Sequence, residues 1–318
     1  MLVVGNKNLI AISLYGYIMQ WLTGYRVVQM KKRTFASLVF FLLLQTACST
    51  QIPIDAAKAA GDGMGMNKEA ALQAASEEFN RANTAVKLKR SILAYNHVLS
   101  MDAQNVTALT ALSSQYILLG TAYTESTSRK REMFGRAKLY AEKAMLTNPE
   151  FRKKREAGAE VWEAADTLRE PEAEAALLWV TAWQYEFKEV MNTVERVFNA
   201  NTLLNTVPML QQIEKLSPNY AGGAVDFALA INYLAIPDLL GGDSELGMRY
   251  LTKVFNNNRD WMFGRWAMGI YYADLAGFTN EVYYSLTYVA SANIEEYKDP
   301  YPWKVHFQRS ADEKLRSF

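Results

Sequence analysis

The sequence predicts an all-α protein built from stacked antiparallel helix pairs. Apolar residues recur at helical spacing over nearly the whole chain from residue 67 onward. No segment shows the alternation of apolar and polar residues that a half-buried β-strand would need. The periodic segments are joined by short connections, which favour antiparallel neighbours. We predict helices over residues 67–82, 85–101, 105–123, 130–147, 151–167, 171–188, 202–216, 220–236, 243–257, 260–275, 278–292 and 301–316.

The segment 231–255 illustrates how one predicted helix ends and the next begins. Pro237 stops the first helix, because proline lacks an N–H and disfavours the helical region for the residue before it. Gly241 and Gly242 supply a turn that can take positive φ. Asp243 stands where an N-cap carboxylate would bind the free N–H groups of the next helix. We therefore predict helix, rigid turn, helix, without a catalytic role for the turn.

Two neighbouring segments also carry a repeat pattern. Their residues match the helix positions of tetratricopeptide repeats in size and spacing. In those repeats small residues lie where the two helices of a pair approach each other. The matching positions are Tyr116, Leu119, Gly120 and Tyr123 on the first helix, and Ala137, Ala144 and Pro149 on the second. Weaker copies follow around Tyr233 and Tyr250, and around Gly269 and Tyr272. The pattern predicts a degenerate tetratricopeptide-like superhelix with a concave surface. An irregular helical bundle is the alternative.

The N-terminal region has the features of an export signal. Residues 31–33 are basic, and residues 34–44 form an apolar run that is short for a bilayer span. Small residues precede Cys48, the chain's only cysteine, and resemble the lipobox of bacterial lipoproteins. We predict a lipoprotein signal peptide at 30–47 and a lipid anchor on Cys48. A plain secreted protein with one free thiol is the alternative.

The rest of the chain divides into three predicted segments. Residues 1–29 are predicted to be an extension ahead of a true start at Met30. Residues 48–66 contain three spaced glycines and no sustained apolar period, so they are predicted to be a flexible tether. Residues 67–318 are predicted to form one helical domain. Ser49 after the cysteine favours the periplasmic side of the outer membrane over the inner membrane.

Charge argues against a nucleic-acid partner. The formal charge of the chain is +1, but residues 1–47 contain five basic residues and no acidic one. The remainder has 29 basic and 33 acidic side chains, a balance of about −4. Binding to phosphates requires a basic surface, which this balance does not supply.

The sequence offers little for catalysis or metal binding. Its two histidines, His97 and His306, lie far apart on predicted helices, and the single cysteine is assigned to lipidation. Phosphate-loop, zinc-protease, serine-hydrolase and EF-hand motifs are missing from the sequence. We therefore expect no cofactor, no metal and no enzymatic activity.

Aromatic residues are the better candidates for a binding surface. Trp179 and Trp183 share a helix face, and Trp261, Arg265 and Tyr272 share another beside Tyr271. An arginine among rings can bind a carboxylate through two hydrogen bonds while the rings form apolar walls. The alternative is that the rings fill the core between helices. The full candidate set for a ligand or partner surface is Trp179, Trp183, Asn232, Tyr233, Trp261, Arg265, Tyr271 and Tyr272.

Several segments together resemble the T-component family of TRAP transporters, which are periplasmic tetratricopeptide-like lipoproteins. The resemblance covers roughly residues 109–315. Its most specific part is the segment 236–243, read as IPDLLGGD, and the segments 119–124, 178–183 and 271–273 also match. The resemblance implies an accessory role beside the periplasmic solute-binding subunit of a carboxylate transporter.

The leading hypothesis is a lipid-anchored, non-enzymatic periplasmic protein that binds the TRAP solute-binding subunit, an apolar organic ligand, or both. The expected partners are that subunit and, through acylated Cys48, the lipid bilayer, and a homo-oligomer is left open. The second hypothesis is a generic tetratricopeptide-like lipoprotein scaffold for envelope assembly. The third is an enzyme with an unrecognised site.

Overall fold

A computed structural model describes residues 67–257, 259–273 and 279–317. These residues form helices packed in adjacent pairs and include no β-strand, so the predicted all-α fold is confirmed. None of the helices described is long and apolar enough to cross a bilayer. The predicted signal peptide, Cys48 and the tether lie outside the described residues.

The α-helices are α1 (Lys68–Asn80), α2 (Ala85–Met101), α3 (Val106–Tyr123), α4 (Thr127–Met145), α5 (Pro149–Glu156), α6 (Glu170–Glu189), α7 (Thr193–Asn205), α8 (Val207–Leu216), α9 (Ala224–Ala235), α10 (Ser244–Asn257), α11 (Met262–Ala267), α12 (Asn280–Ser291) and α13 (Tyr301–Arg316). A π-helical turn, Met268–Tyr272, continues α11. Short 3₁₀ turns lie at Ala165–Thr167, Tyr220–Gly222, Asp238–Leu240 and Ile294–Glu296.

Polar side chains set the starts of many helices. Asn67 accepts a hydrogen bond from the Ala70 N–H at 2.8 Å, and Asn105 accepts one from the Ala108 N–H at 2.9 Å. Each side chain satisfies a backbone donor that the first turn of a helix leaves free. Several predicted helix starts therefore lie within one or two residues of the observed ones.

The pair formed by α3 and α4 is built on close approach. A Cβ atom added to Gly120 would lie 2.6 Å from Cε1 of Phe134, a ring that is fully buried. Ala137 and Ala144 are fully buried on α4. The rings of Tyr116 and Tyr140 stack with their centroids 5.5 Å apart. The small residues of the repeat pattern thus lie where these helices meet.

The turn between α9 and α10 largely follows its prediction. Helix α9 ends before Pro237, and Gly241 has a φ of 95°. Asp243 accepts a hydrogen bond from the Leu246 N–H at 2.8 Å, so it caps α10. Gly242 does not have a positive φ, although the sequence predicted a turn in which both glycines can take one. It is small for another reason, because an added Cβ would collide with the backbone carbonyl oxygen of Ile236.

Three helix predictions need correction. Helix α5 ends at Glu156 rather than near residue 167, because Gly158 takes a φ of 93° and helical hydrogen bonding stops there. Helix α7 was missed and begins at a capping box in which Asn192 and Glu195 bind each other's backbone N–H. The predicted helix 220–236 begins only at Ala224, because the residues before it adopt left-handed conformations.

The last helix packs against the first helices. Trp303 donates its Nε1–H to Ser114 Oγ on α3 at 3.1 Å, and Arg309 donates to the backbone carbonyl of Ala122 at 2.6 Å. Asn83, after α1, donates to the Tyr301 hydroxyl at 3.4 Å. These contacts bring α13 opposite α6 and α9, with a space between them.

Candidate functional site

A cavity of about 530 Å³ lies between α6, α9, α11 and α13. Its wall is predominantly apolar, and its volume is within the range of pockets that hold small organic molecules. The apolar residues of the wall are Leu177, Leu178, Phe187, Ala221, Ala224, Phe227, Ala228, Ile231, Leu234, Ala235, Trp261, Phe263, Trp266, Pro300, Trp303 and Phe307.

Helix α6 forms one long side of the cavity. Its lining residues recur at helical spacing from Glu174 through Thr181 and Gln184 to Lys188. Glu174 and Lys188 lie roughly 21 Å apart along the axis, at about 1.5 Å per residue. The cavity therefore extends along α6, with a carboxylate near one end and an ammonium group near the other.

Aromatic contacts hold the opposite wall in place. The Trp266 ring lies 4.6 Å from Phe307 and 5.8 Å from Tyr271, measured between centroids. Its Nε1–H donates to Ser310 Oγ at 2.6 Å. Phe227 meets the Tyr271 ring edge-on at 5.4 Å. Because these rings contact one another, the wall is a packed surface rather than a set of loose side chains.

The acidic end of the cavity contains Glu174 and Tyr220. Enclosure by protein atoms raises the pKa of the Glu174 carboxyl, although the side chain reaches solvent, and the Tyr220 hydroxyl partly offsets this rise. Burial, together with the Glu174 carboxylate, raises the pKa of Tyr220. Asn219 and Ala221, on either side of Tyr220, have positive φ values of 56° and 45°. Such conformations each cost about 1–3 kcal/mol and occur where surrounding structure imposes them.

Asp299 also lines the cavity, but its carboxylate serves α11. It accepts hydrogen bonds from the backbone N–H groups of Met262 at 2.6 Å and Phe263 at 3.4 Å. Burial raises its pKa to about 6, and the two backbone donors partly offset that rise. The side chain therefore caps the helix that carries Phe263 and Trp266.

The basic side chains of the wall have contacts of their own. The Lys188 ammonium lies 3.9 Å from the centroid of the Tyr271 ring. Arg196 donates to the backbone carbonyls of Phe187 at 2.9 Å and Lys188 at 2.7 Å. Lys298 forms an ion pair with Asp260 at 2.8 Å.

A buried amide network borders the cavity beside α9. Asn232 is fully buried and donates to the Leu203 carbonyl at 3.0 Å and to Thr206 Oγ1 at 2.8 Å. Gln184 donates to the Ala228 carbonyl at 2.7 Å and to Asn232 Oδ1 at 2.9 Å. Gln184 lines the cavity with 7% of its surface exposed.

The structure places the eight sequence-predicted surface residues in different environments. Trp261 and Tyr271 line the cavity. Asn232 lies behind the wall in the amide network, and Tyr233 stacks on Tyr250 with the centroids 6.2 Å apart. Tyr272 packs, partly buried, against the core around α11.

The other three candidates lie away from the cavity wall. Trp179 is buried between Trp162 and Trp183, and the Trp183 ring has the Lys138 ammonium 3.9 Å from its centroid. The Arg265 guanidinium lies 4.2 Å from the centroid of the Tyr288 ring and 5.3 Å from that of Phe255. Pro237, Gly241, Gly242 and Asp243 form a turn outside the cavity.

Sequence reasoning missed most of the wall, including Gln184, Glu174, Phe227 and Trp303. The spacing along α6 contained a usable signal, because the lining residues recur there at three- and four-residue intervals. The contribution of α13 had no such signal, since it depends on a contact between distant parts of the chain.

The arrangement suits non-covalent binding. Within the described residues, no group of three or more His, Cys, Asp or Glu side chains could hold a metal ion. His306 lies behind the wall among aromatic rings, where burial lowers its pKa to about 3, as do the charges of Arg309 and Lys130. A histidine held neutral in this way is poorly matched to proton transfer near neutral pH.

Comparison with known proteins supplies the family. No curated protein matches the chain. A family model described as TRAP transporter T-component matches residues 70–274, which is well over half of the sequence. The matched region runs from α1 through the π-helical turn after α11 and includes α6 and α9. The chain therefore belongs to the T-component family of TRAP transporters.

Proposed function

We propose that this protein is a non-enzymatic, lipid-anchored accessory of a TRAP-type uptake system on the periplasmic side of the outer membrane. In this proposal the helical domain, residues 67–318, receives an apolar organic ligand in the cavity and docks the solute-binding subunit of the transporter. The single observation that carries the ligand-binding part is the apolar cavity between α6, α9, α11 and α13. Family membership supports an association with a TRAP transporter.

The properties of the cavity favour binding over catalysis. Most charged groups at the wall have protein partners, and the rings present broad apolar faces. Burying an apolar ligand there would contribute about 25 cal/mol for each Å² removed from water. The predicted lipid anchor on Cys48 would keep the cavity close to the membrane.

Exposed apolar side chains on α7 and in the turn after α9 support a protein partner. Val194, Val197 and Phe198 lie on one face of α7, and Phe198 is 81% exposed. Leu239, in the turn after α9, is 99% exposed. Large exposed apolar side chains that cluster often mark protein contacts. The same observation also favours the second candidate, a tetratricopeptide-like scaffold for envelope assembly without a small ligand.

Cross-linking in cells tests the partner. The tagged full chain is cross-linked, and captured proteins are identified by mass spectrometry. We expect a periplasmic solute-binding subunit of a TRAP transporter among them. Recovery of cell-wall or outer-membrane assembly proteins instead would support the scaffold and count against the transporter role.

A cavity-filling variant tests the ligand. Ala224→Trp adds a large ring at the start of α9, where Ala224 lines the cavity. We expect it to reduce the affinity of the full chain for an apolar fluorescent dye by about tenfold or more, a loss of about 1.4 kcal/mol. Ala157→Trp places the same ring at an exposed position after α5 and serves as the control. Equal dye binding by wild type and both variants would contradict a ligand site in the cavity.

A further inference from the structure

We propose that the cavity selects an apolar molecule that carries a hydrogen-bond donor, such as a hydroxyl group, and that Gln184 Oε1 accepts this hydrogen bond. The inference rests on the ligand-binding function proposed above and adds the chemical class of the ligand. It starts from the orientation of two buried amides.

The orientation of the Asn232 amide is determined by its surroundings. One of its terminal atoms lies 3.0 Å from the Leu203 backbone carbonyl oxygen, which can only accept a hydrogen bond. That atom must be Nδ2, since an amide oxygen there would place two acceptors together. The same nitrogen reaches Thr206 Oγ1, whose hydroxyl donates to the Leu203 carbonyl. Asn232 Oδ1 therefore faces Gln184.

The orientation of Gln184 follows from that of Asn232. The Gln184 atom 2.9 Å from Asn232 Oδ1 also lies 2.7 Å from the Ala228 carbonyl oxygen. With two acceptors as neighbours, it must be Nε2, and both of its protons are used in these bonds. The other terminal atom is therefore Oε1, and the residue lines the cavity.

Gln184 Oε1 is an acceptor without a donor from the part of the chain that the structure describes, and its residue is more than nine-tenths buried. Oε1 is not among the fully buried unpaired atoms, so a donor on the ligand would replace a hydrogen bond to water and contribute about 0.5–1.5 kcal/mol net. Thr181, on the same face of α6, donates its hydroxyl proton to the Leu177 carbonyl at 2.9 Å, so only its acceptor lone pairs remain for a ligand. Both polar side chains on this face of α6 therefore favour a ligand that carries a donor, and Gln184 Oε1 is the carbonyl-type acceptor of the two.

The neighbouring charges favour a donor over a carboxylate. A carboxylate at this point would bring its oxygens against the Gln184 carbonyl oxygen, so that acceptors would face acceptors. Glu174 and Asp299 add two carboxyl groups to the wall. The guanidinium of Arg196 donates to backbone carbonyls, Lys298 pairs with Asp260, and the Lys188 ammonium lies 3.9 Å from the centroid of the Tyr271 ring. An uncharged donor on an apolar body fits these surroundings.

Three probes of similar shape distinguish a donor, an ether and a carboxylate. Para-butylphenol has an O–H donor, and in para-butylanisole a methyl group replaces the hydrogen of that hydroxyl. Para-butylbenzoate is an anion at neutral pH. Isothermal titration calorimetry on the full chain measures their affinities. We expect the phenol to bind about five- to tenfold more tightly than the methyl ether, the usual effect of one net hydrogen bond. We expect the benzoate to bind more weakly than the phenol.

Two variants locate the effect. Gln184→Leu removes the acceptor, and we expect the preference for phenol over ether to fall to about one. Thr181→Val also changes a cavity-lining residue of α6, and we expect it to keep the wild-type preference. Since Gln184→Leu leaves the Ala228 carbonyl and Asn232 without their donor and can fail to fold, the affinities of the wild type and of Thr181→Val decide the matter without it: a preference lost in Thr181→Val overturns the assignment to Gln184.

The outcomes separate the two proposals. If the wild type binds phenol and ether equally, or binds benzoate most tightly, the inference about Gln184 is overturned while the cavity remains a ligand site. If none of the three probes binds and the apolar dye does not bind either, the proposed ligand function itself is overturned.

Discussion

In helices α1–α6 aliphatic side chains and closely packed alanines make up much of the core, whereas aromatic rings make up much of the core of α7–α13. In the first region the core includes many alanines, among them Ala75, Ala137, Ala144 and Ala176, all fully buried. In the second region Trp266, Phe307 and Phe263 form much of the core. Small side chains let neighbouring helices approach closely, as at Gly120 and Phe134. The large rings of the second region line the cavity on the side that faces α6.

The backbone is also more regular in α1–α6 than in α7–α13. Helices α1–α4 and α6 run for 13 to 20 residues. The second region has the short helix α11 with its π-helical turn, and it has the left-handed residues Asn219 and Ala221. Irregular turns of this kind are common at functional sites. The regular helix α6 thus forms one side of the cavity, and the irregular segments 220–223 and 261–272 contribute to the rest of its wall.

The largest expected effect on stability comes from a substitution that disrupts the close packing of α1–α6. Gly120→Val would place a branched side chain against the buried Phe134 ring, which a single Cβ would already meet at 2.6 Å. We expect a loss of about 3 kcal/mol in the free energy of unfolding, the upper range for overpacking. Urea denaturation measures it. Gly135→Ala on α4 is the control, since nothing lies within 4 Å of its added Cβ, and it should be neutral or slightly stabilising. An equal effect of both changes would contradict close packing at Gly120.

A smaller effect tests the network that joins the two regions. Asn232→Ala removes the group that links Gln184 on α6 to Leu203 and Thr206, which lie on α7 and directly after it. We expect a loss of about 2 kcal/mol, because buried polar partners are left unpaired. Thermal and urea unfolding measure the loss. Asn201→Ala, at an exposed position of α7, should change stability by less than about 0.5 kcal/mol. A loss as small as that of the control would show that the network contributes little.

The smallest effect concerns the pH dependence of the second region. His306 has a pKa lowered from 6.5 to about 3, chiefly by burial. As pH falls through this range, the unfolded chain binds a proton that the folded chain does not, so stability decreases. His306→Phe removes the group that titrates. Between pH 7 and pH 5 we therefore expect the free energy of unfolding of this variant to fall by about 1–2 kcal/mol less than that of the wild type. Urea denaturation at both pH values measures the difference.

Asp299 supplies a control of opposite sign. Its pKa is raised from 3.8 to about 6, so the folded chain binds a proton that the unfolded chain lacks between these values. Its contribution is therefore favourable at low pH and is lost as pH rises through about 6. Asp299→Asn should make the loss of stability in acid steeper, whereas His306→Phe makes it shallower. If the free energy of unfolding changed with pH at the same rate in both variants, the opposite pKa shifts assigned to His306 and Asp299 would be contradicted.

The sequence by itself determined the all-α class, most helix boundaries, the turn at Gly241 and Asp243, and the family. These features depend on local interactions: the spacing of apolar residues, capping side chains, and the conformational limits of proline and glycine. For the same reason, the repeat pattern identified the close contact at Gly120. Helix α7 was missed although its capping box is local, because its exposed face of Val194, Val197 and Phe198 obscured the usual pattern.

Only the tertiary structure decided where the cavity lies and which side chains line it. Of the eight candidate surface residues, it brought Trp261 and Tyr271 to the wall, buried Trp179 in the core, and stacked Arg265 on other rings. The wall depends on α13 returning to α3 through Trp303 and Ser114, which are 189 positions apart. Periodicity reports which face of a helix is apolar, but it does not report which distant helix covers that face.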